Sequence, residues 1–140
     1  MEADEDEWKA IEKKIEAAVA ATQDNATQTR DVYMIFLERF RENAAAGVRA
    51  VARAPAGGVL VHCVGGKDRT GLLSAFLLGL AGVGIQEIAA DYALSEERLR
   101  PRHEAWFEAA ESDEQLARLQ RIAQTPAGSL AAQPRPRPRR

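Results

Sequence analysis

Cysteine and histidine are scarce in this sequence, and their scarcity excludes several kinds of site. Cys63 is the single cysteine among 140 residues, which excludes an internal disulfide framework and any zinc site built on several thiolates. The two histidines, His62 and His103, lie far apart in the chain, so no metal site is predicted. A lone cysteine is either a buried core thiol or a reactive nucleophile, and its neighbours must decide between the two.

The sequence also lacks a large excess of charge and a long apolar run. Its formal net charge of -2 provides no overall electrostatic attraction to nucleic acid. The most apolar stretch, residues 72–85, is too short to span a bilayer. The acidic start lacks the basic region and apolar core of a secretory signal. We therefore expect a cytoplasmic protein with no membrane span and no nucleic-acid partner, and the oligomeric state stays open.

The spacing of apolar residues predicts a mostly helical chain with one strand. Six helices are predicted, beginning near Trp8, Tyr33, Leu72, Ile85, Ser95 and Ser112, the fifth being interrupted or restarted at Pro101. Residues 58–63 are apolar and partly β-branched, which predicts a buried strand. We expect one domain over residues 1–126, with strand 58–63, phosphate loop 63–70 and buried helix 70–82, followed by a disordered Pro/Arg tail over residues 127–140.

The run from His62 to Gly71, HCVGGKDRTG, carries the candidate chemistry. A glycine-rich loop between a strand and a helix presents backbone N–H groups to a phosphate. Cys63 opens this loop and Arg69 closes it, a spacing that wraps the chain around a tetrahedral anion. Arg69 is predicted to bind two phosphate oxygens at once. The predicted phosphate-binding residues are Val64, Gly65, Gly66, Lys67, Asp68 and Arg69.

The same loop predicts a nucleophilic role for Cys63. Its N–H groups and the helix N-terminus would hold the thiol as a thiolate, with a pKa below the free value of about 8.5. A thiolate is required for in-line attack on a phosphate ester and formation of a cysteinyl-phosphate. Thr70 is placed to donate to the sulfur and help it leave. A nucleotide-binding P-loop is excluded, because Asp68 stands where the magnesium-binding hydroxyl is needed.

The run HCVGGKDRTG resembles the signature of the protein-tyrosine-phosphatase superfamily, and most closely its bacterial and fungal tyrosine/serine phosphatase branch. The stretch Asp91-Tyr92-Ala93-Leu94-Ser95 also resembles that branch. The resemblance implies an α/β fold of the cysteine-phosphatase type. It also implies hydrolysis of phosphotyrosine, with phosphoserine, phosphothreonine and phosphoinositides as further substrates, since Lys67 lies in the loop where lipid-directed relatives also have a lysine. No cofactor is implied.

Two features of the family are missing from the sequence, and they leave alternatives open. The N-terminal region with most of the sheet is not found, so we expect a partial domain whose lone strand lacks a partner. The aspartate that this region supplies as general acid is also not found, and Asp68 is the remaining candidate. Asp68 is equally well interpreted as a structural carboxylate. The alternative to a phosphatase is a phosphate-binding module with little turnover, or a fragment without function.

Overall fold

The computed structural model describes residues 4–131, and these residues form six helices. In chain order they are α1 (Glu5–Ala20), α2 (Asn25–Ala52), α3 (Asp68–Leu80), α4 (Ile85–Glu108), α5 (Asp113–Ala123) and α6 (Gly128–Ala131). None of the helices in this part of the chain is long and apolar enough to cross a membrane. Helix α1 packs on α2, while α4 contacts α3, α5 and α6 and so forms the centre of the arrangement.

Side-chain caps explain where three of the helices begin. Asp4 and Asp24 accept hydrogen bonds from the backbone N–H groups of Glu7 and Thr27, at 2.8 and 2.9 Å. Ser112 accepts one from Gln115 N–H at 3.1 Å. Such caps satisfy N–H groups that the first helical turn leaves without partners. The predicted first helix and the predicted start at Ser112 are therefore confirmed.

The predicted strand at residues 58–63 is wrong for the part of the chain that the structure describes, which contains no strand. The segment belongs to no helix or strand, and residues 55–66 make no backbone–backbone hydrogen bond with residues 4–131. A strand exists only where a neighbour pairs with its backbone. Leu60 is 88% exposed, so this apolar segment is not buried either.

The helix predicted over residues 70–82 is present as α3, but the prediction that it is buried is wrong. It is apolar on nearly every side, and yet none of its residues is fully buried. Leu80 at its end is 74% exposed. The physical reason is the missing strand, because one face of α3 packs against α2 and α4 and no sheet covers the opposite face among residues 4–131.

Two further predictions about helix boundaries are corrected. The helices predicted around Ile88 and Trp106 form one continuous helix, α4, with Pro101 inside it. Pro101 has no N–H group to donate to the Glu97 carbonyl. Both residues are exposed, so water can donate to that carbonyl instead. The disorder predicted over residues 127–140 is wrong for residues 128–131, which form α6 between α2 and α4. Residues 132–140 of the predicted tail lie outside the described residues.

The segment before α6 is fixed by polar contacts with α4. The backbone N–H of Thr125 donates to Glu96 Oε2 at 3.0 Å, and the Thr125 hydroxyl donates to the Ala93 carbonyl at 3.1 Å. Thr125 and Ser129 are almost completely buried. These paired polar groups, together with Tyr33, Ile88, Ala89 and Tyr92, make up the core around α4.

Gly71 allows the closest contact between α3 and α4. A Cβ atom at this position would lie 2.8 and 2.9 Å from two ring carbons of Tyr92. We expect Gly71→Ala to destabilise the fold by about 1–3 kcal/mol, because the buried ring has to move. The control is Gly79→Ala on the same helix, where the nearest atom is 3.9 Å away and replacing glycine stabilises a helix by about 0.5–1 kcal/mol. Urea denaturation measures both, and equal changes would contradict the packing argument.

Candidate active site

The loop over residues 63–70 leads directly into the N-terminus of α3. The first helical hydrogen bond of α3 runs from Gly71 N–H to the Lys67 carbonyl, at 2.7 Å. The N–H groups before Gly71 are therefore not committed to the helix and remain available to a ligand. Gly66 has φ +67°, a left-handed conformation that glycine adopts without strain. The loop is thus shaped to direct backbone N–H groups towards Cys63.

Cys63 is half-buried and not in a disulfide. The backbone N–H of Gly66 donates to its Sγ at 3.2 Å. Burial raises the pKa of this thiol, but the Thr70 hydroxyl and the N–H groups of Thr70, Gly66 and Gly65 outweigh burial and lower the pKa to about 6. At neutral pH the sulfur is therefore mostly a thiolate.

The Thr70 side chain is the strongest single contributor to that lowered pKa. Its hydroxyl oxygen is buried, and no hydrogen bond of full geometry forms to it from residues 4–131. The hydroxyl is thus not engaged by another protein group. The role of Thr70 as a donor to the sulfur stays a prediction.

Asp68 is joined to two buried tyrosines. The Tyr33 hydroxyl donates to Asp68 Oδ1 at 2.5 Å, and the Tyr92 hydroxyl oxygen lies 2.5 Å from that of Tyr33. Since Tyr33 uses its proton on Asp68, Tyr92 is the donor to Tyr33. Burial, with the nearby Asp68 charge, raises the pKa of Tyr33 far above its ordinary value and that of Tyr92 to about 12. Both tyrosines therefore keep their protons at any physiological pH.

The two cations of the loop have different surroundings. Lys67 is buried, and its ammonium donates to the carbonyls of Ile122 and Gln124, the latter at 3.3 Å. It also lies 3.5 Å from Asp68 Oδ1. Arg69 is exposed and makes no ion pair or hydrogen bond with the residues that the structure describes. Arg69 is the cation left available to a ligand, whereas Lys67 holds the C-terminal end of α5.

A cavity of about 70 Å³ lies between α3 and α4, lined by Gly66 and Thr70 from the loop and by Asp91 and Tyr92 from α4. It has room for a few water molecules but not for an aromatic side chain. Cys63 does not line this cavity, and its neighbour in the loop, Val64, is 90% exposed. No group of three potential metal ligands occurs within residues 4–131.

Three residues near the loop were not assigned a site role from the sequence. The sequence placed Tyr33 near the start of a helix and Tyr92 in the stretch that resembles the phosphatase branch, and it gave no role to Arg102. Arg102 Nη2 donates to the Gly65 carbonyl at 2.8 Å. A signal existed for the tyrosines, because a buried tyrosine normally finds a partner for its hydroxyl. No sequence pattern identifies Arg102, because its contact with the loop depends on how α4 packs.

A thiolate held by loop N–H groups at a helix N-terminus, with an arginine at the end of the loop, is the arrangement expected of a cysteine-dependent phosphatase. Comparison with known protein families agrees, since the model of the tyrosine phosphatase family matches residues 3–133. The chain belongs to the tyrosine phosphatase family.

Two curated relatives carry the same description. A tyrosine-protein phosphatase of Nostoc commune is 56% identical over 39 residues, which are 28% of this chain and 13% of that protein. A protein of Cupriavidus necator named "Putative tyrosine-protein phosphatase" is 43% identical over 70 residues, 49% of this chain and 24% of that protein. The chain thus matches less than a quarter of the length of either relative. No solved structure matches it.

Proposed function

We propose that this chain carries the catalytic loop of a cysteine-dependent phosphatase that hydrolyses phosphotyrosine and related phosphate monoesters. The observation that supports this most is the Cys63 thiol, whose pKa of about 6 makes it a nucleophile at neutral pH. Membership of the tyrosine phosphatase family supports the same reaction class. The names of the two relatives, both of which specify tyrosine-protein phosphatase, support phosphotyrosine as the substrate.

In the proposed reaction, Cys63 Sγ attacks phosphorus in line with the leaving oxygen. The S–P bond forms as the ester P–O bond breaks, and the leaving oxygen takes a proton from a general acid. Arg69 and the loop N–H groups stabilise the charge on the transferring phosphoryl oxygens. Water then attacks the cysteinyl-phosphate, which releases inorganic phosphate and restores the thiolate. The Thr70 hydroxyl stabilises the departing sulfur, and no metal takes part.

Asp68 is the proposed general acid, and the hydrogen bonds of its carboxylate are compatible with this role. One carboxylate oxygen is held by Tyr33. The other has no hydrogen bond with the described residues, and the side chain is half exposed. A structural role remains the competing interpretation, since Tyr33 and Lys67 both contact Oδ1. A carboxylate fixed through one oxygen is positioned to transfer a proton through the other.

Asp68→Asn distinguishes the two interpretations. A general acid matters most when the leaving group is a strong base, so we expect the variant to lose about 10²-fold or more in kcat with phenyl phosphate. With p-nitrophenyl phosphate, whose leaving group is a weak base, we expect a much smaller loss. Parallel kinetics with the two esters measure the difference. Equal losses with both would mean that Asp68 only supports the loop.

The surroundings of Lys67 bear on the substrate class. Its predicted contribution to phosphate binding, and hence to phosphoinositide hydrolysis, required a free ammonium at the rim of the loop. That ammonium bonds two carbonyls at the end of α5. One exposed arginine at the loop suits a single phosphate group, so we propose phosphotyrosine-like monoesters ahead of multiply phosphorylated inositides.

The experiment that tests the proposed function is hydrolysis of p-nitrophenyl phosphate by the chain in the presence of EDTA. We expect turnover that needs no metal, with kcat/KM rising with pH through about 6 because the thiolate is the reactive form. A second candidate function, phosphate binding without turnover, is favoured by the uncovered face of α3. It predicts that inorganic phosphate protects Cys63 from iodoacetamide while no ester is hydrolysed.

A further inference from the structure

The peptide group between Gly65 and Gly66 determines what the Cys63 sulfur faces. It is trans, as are all peptide bonds of the described chain, so the Gly65 carbonyl and the Gly66 N–H lie in one plane and point in opposite directions. The N–H points at Cys63 Sγ, 3.2 Å away. If this peptide turned over, a carbonyl oxygen would face the thiolate instead, and the two negative groups would repel each other.

The local sequence does not fix this orientation. Both residues that flank the peptide are glycines, and glycine has the widest range of backbone conformations. Residues 55–66 make no backbone–backbone hydrogen bond with the described chain that would hold the plane. A group from elsewhere in the fold must therefore select the orientation in which the N–H faces the sulfur.

Arg102 is in the right position to select this orientation. Its Nη2 donates to the Gly65 carbonyl at 2.8 Å, across 37 positions of sequence. The guanidinium is held in turn by Trp106, one helical turn further along α4, with Cζ 4.9 Å from the ring centroid. Stacking of this kind restrains a long side chain that would otherwise sample many rotamers. Helix α4 thus supplies a restrained donor on the side of the peptide that faces away from Cys63.

We propose that Arg102 is a positioning residue that locks the Gly65–Gly66 peptide with its N–H towards Cys63, and so keeps the loop in its anion-binding form. It acts through the peptide and does not touch the sulfur. The proposal deepens the proposed phosphatase function and rests on it only where turnover is measured. The other charged or titratable groups beside the loop are His62, Lys67, Asp68 and Arg69 in the chain around it, Tyr33 from α2, and Tyr92, Glu96 and the buried His103 from α4.

The test is the pH dependence of Cys63 alkylation by iodoacetamide in Arg102→Met. Loss of one N–H bond to the thiolate is expected to raise the pKa of Cys63 by about 1, which slows alkylation at pH 5 about tenfold. The matched control is Arg98→Met, which removes an exposed arginine one turn earlier on α4 and should leave the profile unchanged. The remaining charged groups are the same in all variants.

Several outcomes decide the matter. A Cys63 pKa in Arg102→Met equal to that of the control would overturn the proposal. If the methionine variant loses helical circular dichroism, Arg102→Gln replaces it, since glutamine is polar but too short to reach Gly65. The same rise in the Cys63 pKa is expected in Arg102→Gln, and its absence would equally overturn the proposal. Alkylation needs no turnover, so a wild-type chain that hydrolyses nothing would refute the proposed function while this test still stands.

Discussion

Replacing Cys63 with serine is expected to lower kcat for p-nitrophenyl phosphate by about 10⁴-fold or more. A serine hydroxyl at this position would keep its proton at neutral pH, whereas the N–H groups of Gly65, Gly66 and Thr70 keep the sulfur ionised. The proposed phosphate cradle consists of backbone groups and Arg69, which the substitution does not remove. Binding of inorganic phosphate should therefore survive in Cys63→Ser, as measured by isothermal titration calorimetry.

This pairing of a lost rate with retained binding is what identifies Cys63 as the nucleophile. A substitution that damaged the fold would remove both, and circular dichroism separates that case. Turnover in Cys63→Ser within tenfold of the wild-type rate would show that hydrolysis proceeds without the thiolate, and the proposed mechanism would then be wrong.

Replacing Arg69 with lysine is expected to have the second-largest effect, a loss of about 10³-fold in kcat/KM. Lysine keeps the charge but presents it as a point, while the planar arginine binds two phosphate oxygens at once. The side chain is exposed and has no partner among residues 4–131, so the stability of the fold should not change.

Arg53→Lys is the matched control for Arg69→Lys. Arg53 is another exposed arginine, at the C-terminal end of α2, and its replacement should leave kcat/KM unaltered. Steady-state kinetics with p-nitrophenyl phosphate measure both variants. If Arg69→Lys behaved like this control, phosphate would have to be held by the loop N–H groups alone.

The sequence located the candidate site because its chemistry lies in one continuous run. Cys63, Thr70 and the glycines between them lie within residues 63–70, so the sequence itself shows that they are close together. Tyr33 and Arg102 reach the same loop from α2 and α4. Their contacts depend on helix packing, which a single sequence does not specify, and they were therefore not predicted.

The fold was predicted well where local forces decide it and poorly where distant partners do. Ser112 begins a helix because its own side chain satisfies a nearby N–H group. Residues 58–63 have strand-forming side chains, but a strand also needs a neighbouring strand, and residues 4–131 provide none. The continuous α4 shows the converse, because packing on three other helices outweighs the cost of Pro101 within it.

The loop around Cys63 is ordered from outside itself, and this has a thermodynamic consequence. Tyr33 from α2 and Arg102 from α4 hold it, and Lys67 ties it to the end of α5. A bound phosphate dianion would lower the conformational entropy of the same segment that these side chains already restrain. Ligand affinity and the unfolding of α2, α4 and α5 are thereby linked. Loosening any one of these helices weakens ligand binding, and saturating ligand raises the melting temperature of all three.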